Sequence, residues 1–166
     1  MDKLVKTKYD EITYKIIGAA MDVHGRLGSG LKEKHYQKAM IKALLSLNLN
    51  LEEQKQIGVY FEKTLAGLLF LDIFAEGSIV VELKALSRQL TKNELAQVIT
   101  YLKASGAEIG LLINFGRKYL EFRRIFPPKK ITSFDQNDWR FAVKFKQPDF
   151  KDNALDKAQR ITCALH

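Results

Sequence analysis

Only one cysteine, Cys163, stands among the 166 residues, which excludes an internal disulfide and a cysteine-rich zinc site. Long apolar runs are missing too. The longest near the middle, Ile109–Ile113, contains a glycine and is far too short to span a bilayer. The opening residues, MDKLVKTKYDEIT, hold no apolar segment of the signal-peptide kind. There is no internal repeat and no low-complexity stretch. These absences point to a soluble, cytoplasmic protein with no membrane partner.

What is present suffices for a core: the chain is 46% hydrophobic, the material of one globular domain. Its 27 Lys and Arg against 19 Asp and Glu leave a net charge of +8, which suggests a polyanionic partner. Nine of the cations lie between Arg117 and Phe150 against four acids, with Phe, Tyr and Trp interleaved. That segment is either a solvated basic surface or a nucleic-acid surface. The second reading places Arg123, Arg124, Lys129 and Lys130 on phosphates.

The apolar spacing of Ile12, Ile16, Ala19, Ala20 and Val23 predicts a helix over Tyr9–Arg26, broken by Leu27-Gly28-Ser29-Gly30. A second helix follows from about Leu31 to Leu47, with Glu33 in its first turn, where an acid favours the helix dipole. Glu53–Phe61 reads as a strand, and Thr64–Ala75 with Ser78–Ala85 as a hairpin. Thr91 and Glu94 form a capping-box pattern opening a helix that ends near Gly106. Glu108–Phe115 reads as a strand buried on both faces, and Tyr119–Phe126 as an edge strand ended by Pro127-Pro128. The order predicts an α/β domain with a mixed sheet flanked by helices. Residues 1–130 form this domain; residues 131–166 are a basic, aromatic extension with a short helical tail, Ala154–Leu165.

The stretch Leu71–Ala85, LDIFAEGSIVVELKA, carries the chemistry. If Glu76, Gly77 and Ser78 form a three-residue loop with Gly77 left-handed, Ala75 pairs with Ile79 and Asp72 falls opposite Glu82. Opposed residues sit about 5 Å apart at Cβ, where like charges repel. Lys84 shares that face, while Ile79, Val81 and Leu83 point the other way. A two-residue loop would shift the register by one and separate the acids. Two opposed carboxylates suit a hard cation, Mg²⁺ or Mn²⁺, and not zinc; the competing account is a surface salt-bridge cluster. On the following helix Gln97 and Tyr101 share a face. Tyr101 also reads as core, whereas a buried Gln97 amide needs several partners.

With these residues in view the chain resembles the PD-(D/E)XK nuclease superfamily, and within it a group of small bacterial proteins named for a G-x-x-E-x-x-Y motif. That motif is Gly30-Leu31-Lys32-Glu33-Lys34-His35-Tyr36 here, preceded by Val23-His24 and Leu27-Gly28. The likeness continues through Leu71-Asp72, Val80–Ala85, Ala96-Gln97 and Thr100–Leu102 to Leu112-Ile113-Asn114-Phe115-Gly116, over about residues 10–126. The resemblance implies a restriction-endonuclease-like core of helix, three antiparallel strands, crossover helix and further strand. It implies that Asp72 and Glu82 bind metal, with the Leu83 carbonyl and Glu33 as further ligands, and that Lys84 is catalytic. Gln97 and Tyr101 match the Q-x-x-x-Y element that RecB-like members place beside the active site.

Two departures stand out: Glu94 replaces a histidine common among relatives, and Leu71 replaces the proline before the first acid. The expected activity is a Mg²⁺- or Mn²⁺-dependent nuclease acting on nucleic acid, DNA in the first instance, with a homodimer left open. The alternatives are a non-catalytic nucleic-acid-binding or regulatory protein on the same fold, and a scaffold docking through the Trp139 segment.

Overall fold

A computed structural model describes residues 8–127. Lys129, Lys130, Cys163, the Trp139 segment and the expected tail helix lie outside the described residues. The first helix, α1 (Asp10–Leu27), buries Ile16, Ile17, Ala19, Ala20 and Val23 along one stripe. It ends at Gly28, whose N–H bonds back to the His24 carbonyl at 2.8 Å. Helix α2 spans Glu33–Ser46 and buries Tyr36, Met40 and Leu44. Strands β1 (Leu51–Phe61), β2 (Thr64–Ala75) and β3 (Ile79–Lys84) follow, then α3 (Lys92–Ser105), β4 (Ile109–Asn114) and β5 (Glu121–Ile125).

The five strands form one sheet in chain order, β1-β2-β3-β4-β5. Strand β3 runs parallel to β4, and the other neighbours are antiparallel. The parallel pair requires a crossover, and α3 provides it. Its start is set by a complete capping box: the Thr91 side chain accepts from the Asn93 N–H while Glu94 accepts from the Thr91 N–H at 2.7 Å. Around β3 and β4 the sheet is thereby covered on both faces. Helices α1 and α2 pack on Ile73, Ile79, Val81, Leu83, Ile109, Leu111 and Ile113. Helix α3 packs on Leu71, Phe74, Val80, Leu112 and Ile125. Among the described residues no helix is long and apolar enough to cross a membrane.

The hairpin register is the one a three-residue loop demands. Ala75 pairs with Ile79, Phe74 with Val80 and Ile73 with Val81. The turn is tighter than a single left-handed glycine would make it. Both Glu76 (φ 51) and Gly77 (φ 64) are left-handed, and the Ser78 N–H bonds to the Ala75 carbonyl at 3.1 Å. Glu76 tolerates this strained conformation because it is held from both ends. Its own N–H bonds to the Asn50 carbonyl, and its carboxylate accepts the Asn50 N–H at 2.7 Å.

Candidate active site

Beyond Ile73 and Val81 the β2–β3 ladder stops and the carboxylates begin. One further step of the register brings Asp72 level with Glu82. The Leu83 N–H, which a continuing ladder would give to a backbone carbonyl, goes instead to Asp72 Oδ2 at 2.9 Å. Asp72 Oδ1 accepts from Gln54 Nε2 at 3.3 Å, and the Asp72 carbonyl from Gln37 Nε2 at 3.4 Å. Across β2 the pairs Glu53–Ile73 and Lys55–Leu71 place Gln54 opposite Asp72, and Gln54 is itself left-handed (φ 47). Leu71 and Ile73 join opposite core clusters, so β2 does not alternate simply across Asp72. The strand is twisted where the acid sits.

Glu82 is the most confined of the acids, 3% exposed beneath α3. Its Oε1 accepts from Lys84 Nζ at 2.8 Å, while its Oε2 is buried without a hydrogen-bond partner. Burial, and after it the charge of Asp72, push the Glu82 carboxyl up to about 7. Burial also raises Asp72, against the opposing pull of the Leu83 N–H and Lys84. Lys84 responds in kind. Desolvation works to lower its pKa, but the Glu82 hydrogen bond and the charges of Glu82, Glu33 and Asp72 outweigh it, so the ammonium is held more firmly than usual.

Glu33 enters from the start of α2, half-buried, its pKa raised by burial and by Asp72 against the pull of Lys84. Two residues of its motif explain that placement. Gly30 has φ 102, a conformation suited to glycine, and lets the chain turn into the helix. Tyr36, fully buried, donates its hydroxyl to the Gly28 carbonyl at 2.7 Å and accepts the Leu31 N–H at 3.2 Å. Its ring stacks on Phe115 at 4.7 Å. Tyr36 thus clasps the loop that aims Glu33.

From α3, Gln97 donates to the Tyr101 hydroxyl at 2.6 Å. Burial raises the Tyr101 pKa, the Gln97 bond opposes this, and Glu82, Lys84 and Asp72 all act on it. Glu33, Asp72, Glu82, Lys84 and Tyr101 therefore form one electrostatic cluster, with Gln97 bonded to its edge. Leu83 turns its side chain into the core and its N–H toward Asp72.

Glu94 stands apart from that cluster. Its carboxylate takes the Thr91 N–H and hydroxyl and pairs with Arg88 at 2.7 Å. Arg88 first, then the Thr91 N–H, hold it down at about 2. An acid so committed caps the helix. Asn114, fully buried, ties down the segment after β3: its Oδ1 accepts the Leu86 and Gly116 N–H groups, and its amide donates to the Arg88 carbonyl at 3.0 Å.

Where it is described, the basic segment is laced with ion pairs inside the fold. Arg117 and Arg123 both pair with Glu121, at 3.5 and 3.0 Å. Arg124, 18% exposed, pairs with Asp10 at 2.5 Å. These guanidinium groups are engaged in ion pairs within the fold. Two neighbours of Asp72 escaped the sequence reading. Gln37 lies one turn beyond Glu33, a spacing that could have revealed it; Gln54 carries no such signal.

The donor set suits a hard cation in one respect and limits it in another. A buried carboxylate oxygen without a partner, beside a second carboxylate, is what a dication would satisfy. Among the described residues, however, no three His, Cys, Asp or Glu side chains converge closely enough to share one ion. Two carboxylates with water is nonetheless an ordinary way to hold Mg²⁺. A family model of the PD-(D/E)XK nuclease superfamily matches residues 10–125. No curated protein and no solved structure matches the chain.

Proposed function

The chain belongs to the PD-(D/E)XK nuclease superfamily, and on that premise we propose that it is a metal-dependent phosphodiesterase acting on nucleic acid, DNA in the first instance. The observation that carries this reading is the buried Glu82 carboxylate, with one oxygen on Lys84 and the other unpartnered. Asp72 and Glu82 would hold Mg²⁺ or Mn²⁺, with the Leu83 carbonyl and Glu33 around them. When bound, the ion supplies charge neutralisation and Lewis acidity toward a phosphate oxygen.

The chain's own groups supply the rest. Lys84 remains protonated and is fixed by Glu82, so it presents a preorganised positive charge to a phosphate or to the attacking water. The Leu83 N–H and Gln54 fix the Asp72 carboxylate, and Tyr36 fixes the loop that delivers Glu33. Gln97 and Tyr101 offer an amide and a hydroxyl along the α3 side of the site. Under α3 the cluster is partly shielded from water, which strengthens each of these interactions.

The test is cleavage of circular single-stranded and supercoiled DNA with Mg²⁺, Mn²⁺ or EDTA. Lys84→Ala should lower the cleavage rate by on the order of 10²–10³ while leaving DNA binding largely intact. Unchanged metal-dependent turnover in Lys84→Ala would refute the assignment. A second reading, a non-catalytic nucleic-acid-binding protein on this fold, is favoured by the Lys84–Glu82 ion pair, which neutralises the buried carboxylate without a metal. DNA binding without cleavage under any metal would establish it instead.

A further inference from the structure

The hairpin formed by β1 and β2 is longer than the sheet it belongs to. Strand β2 pairs with β3 only over Ile73–Ala75, and among the described residues β1 pairs with β2 alone. From Gln56 to Phe70 the hairpin therefore runs on past Asp72 with no further strand beside it among the described residues, held to the rest of the fold through Ile57 and Leu69, which pack on the α3 cluster. An isolated two-stranded ribbon is at best marginally stable in water, and free edges invite pairing.

Its side chains point the same way. Phe61 is 74% exposed, Tyr60 65% and Leu65 51%, with Val59, Leu68 and Phe70 between 38% and 47%. Tyr60 pairs with Leu65 and Gly58 with Leu68, and the Tyr60 ring lies against Gly58. The register puts Tyr60, Leu65, Leu68 and Phe70 on one face of the ribbon and Val59 and Phe61 on the other, so at ~200 Å² for a fully exposed large side chain the larger face presents on the order of 400 Å². A stable interface takes about 800 Å² from each partner, and the β1 edge supplies backbone area besides. Between Gln56 and Phe70 the only charged residues are Glu62 and Lys63 at the tip, in a chain of net charge +8. A surface so short of cations does not suit a polyanion.

We propose that this hairpin is a homodimer interface, with the β1 edges of two copies running antiparallel about Val59. Such an arrangement is closed and self-complementary. It lets two strongly basic chains meet through their uncharged arms, and it puts a third and fourth strand beside each ribbon. The proposal stands independently of the nuclease reading.

Sedimentation velocity of the purified full chain over a range of concentrations tests it. Wild type should show a monomer–dimer equilibrium. Tyr60→Lys/Leu68→Lys should weaken that equilibrium at least about tenfold while keeping the circular dichroism spectrum of the fold. In a Cys163→Ser background, Val59→Cys should form a disulfide-linked dimer under mild oxidation. Wild type that is monomeric at every concentration overturns the proposal, whether residues 128–166 or another protein cover the hairpin instead. A dimer unaffected by the paired lysines, or one in which Val59→Cys does not cross-link, overturns it as well.

Discussion

Replacing Glu82 with Gln removes, among the described residues, the buried carboxyl whose pKa is raised to about 7. Burial, and then the charge of Asp72, raise it from the ordinary 4.5 to about 7. A carboxyl with a higher pKa folded than unfolded binds its proton more tightly in the folded state. Its stabilising contribution is complete below about 4.5 and is lost as pH rises through about 7. At about 1.4 kcal/mol per pH unit, the loss is on the order of 3 kcal/mol, or roughly 10 °C in the unfolding midpoint of a domain this size. Asp72 and Glu33, also raised by burial, add in the same direction. Glu94, held at about 2, acts oppositely but only as pH falls below the usual carboxylate range, outside this window.

In EDTA the midpoint of wild type should therefore fall between about pH 5 and pH 8. Glu82→Gln should lose most of that slope. The slope is the readout because the absolute stability mixes two effects: the amide keeps an acceptor for Lys84 but leaves an N–H group where Oε2 was unpartnered. Magnesium supplies a second arm. An ion that binds only the folded state stabilises it by mass action, and it competes with the proton on Glu82. Magnesium should thus raise the wild-type midpoint more at pH 8 than at pH 5, and should do little for Glu82→Gln. A wild-type midpoint that is flat or rises across this window in EDTA, or an unchanged slope in Glu82→Gln, would refute the reasoning.

Three further substitutions separate structural roles from chemical ones. Tyr36→Phe deletes the hydroxyl that serves both Gly28 and Leu31; by denaturant titration it should cost about 1–3 kcal/mol, and it should lower cleavage by misplacing Glu33. Glu94→Ala, which removes half of the capping box and the Arg88 pair, should destabilise the fold by about 1–2 kcal/mol, and the pH dependence of cleavage should be unchanged; an altered pH profile would restore Glu94 as a proton carrier. Arg124→Ala should destabilise by about 1–2 kcal/mol through loss of the Asp10 pair, with no change in the salt dependence of DNA binding. A slope lowered by about 0.9 would place Arg124 on a phosphate after all.

The parts of the site that sequence alone made legible are those decided within a few residues. Glu76-Gly77 marks its own turn, and once the loop has three residues the two-residue period of the strands brings Asp72 level with Glu82 and puts Lys84 on the same side. Thr91 and Glu94 mark the start of α3 because both halves of a capping box lie within one helical turn. Gln97 and Tyr101 are four apart, and their hydrogen bond follows from that spacing. In each case the partner is near in sequence, so the physics that joins them leaves a local pattern.

What remained hidden depends on contacts across the fold. Glu82 reads as one acid of a polar hairpin face, yet α3 closes over that face and makes it nearly as dry as the other. That burial raises its pKa and leaves Oε2 without a partner. Arg124 reads as a free cation in a basic run, yet it is spent on Asp10, 114 positions earlier. Gln54 reads as one polar residue of a strand and turns out to face Asp72 from a left-handed backbone. A carboxylate's chemistry is set by what surrounds it, and the surroundings of Glu82 come from three separate segments: Asp72 on β2, Glu33 on α2 and the underside of α3. The acid pair and the lysine can be proposed from spacing. Whether Glu82 is buried enough to hold its proton up to about 7, so that a dication must displace it, is decided by the helices that close over the strand.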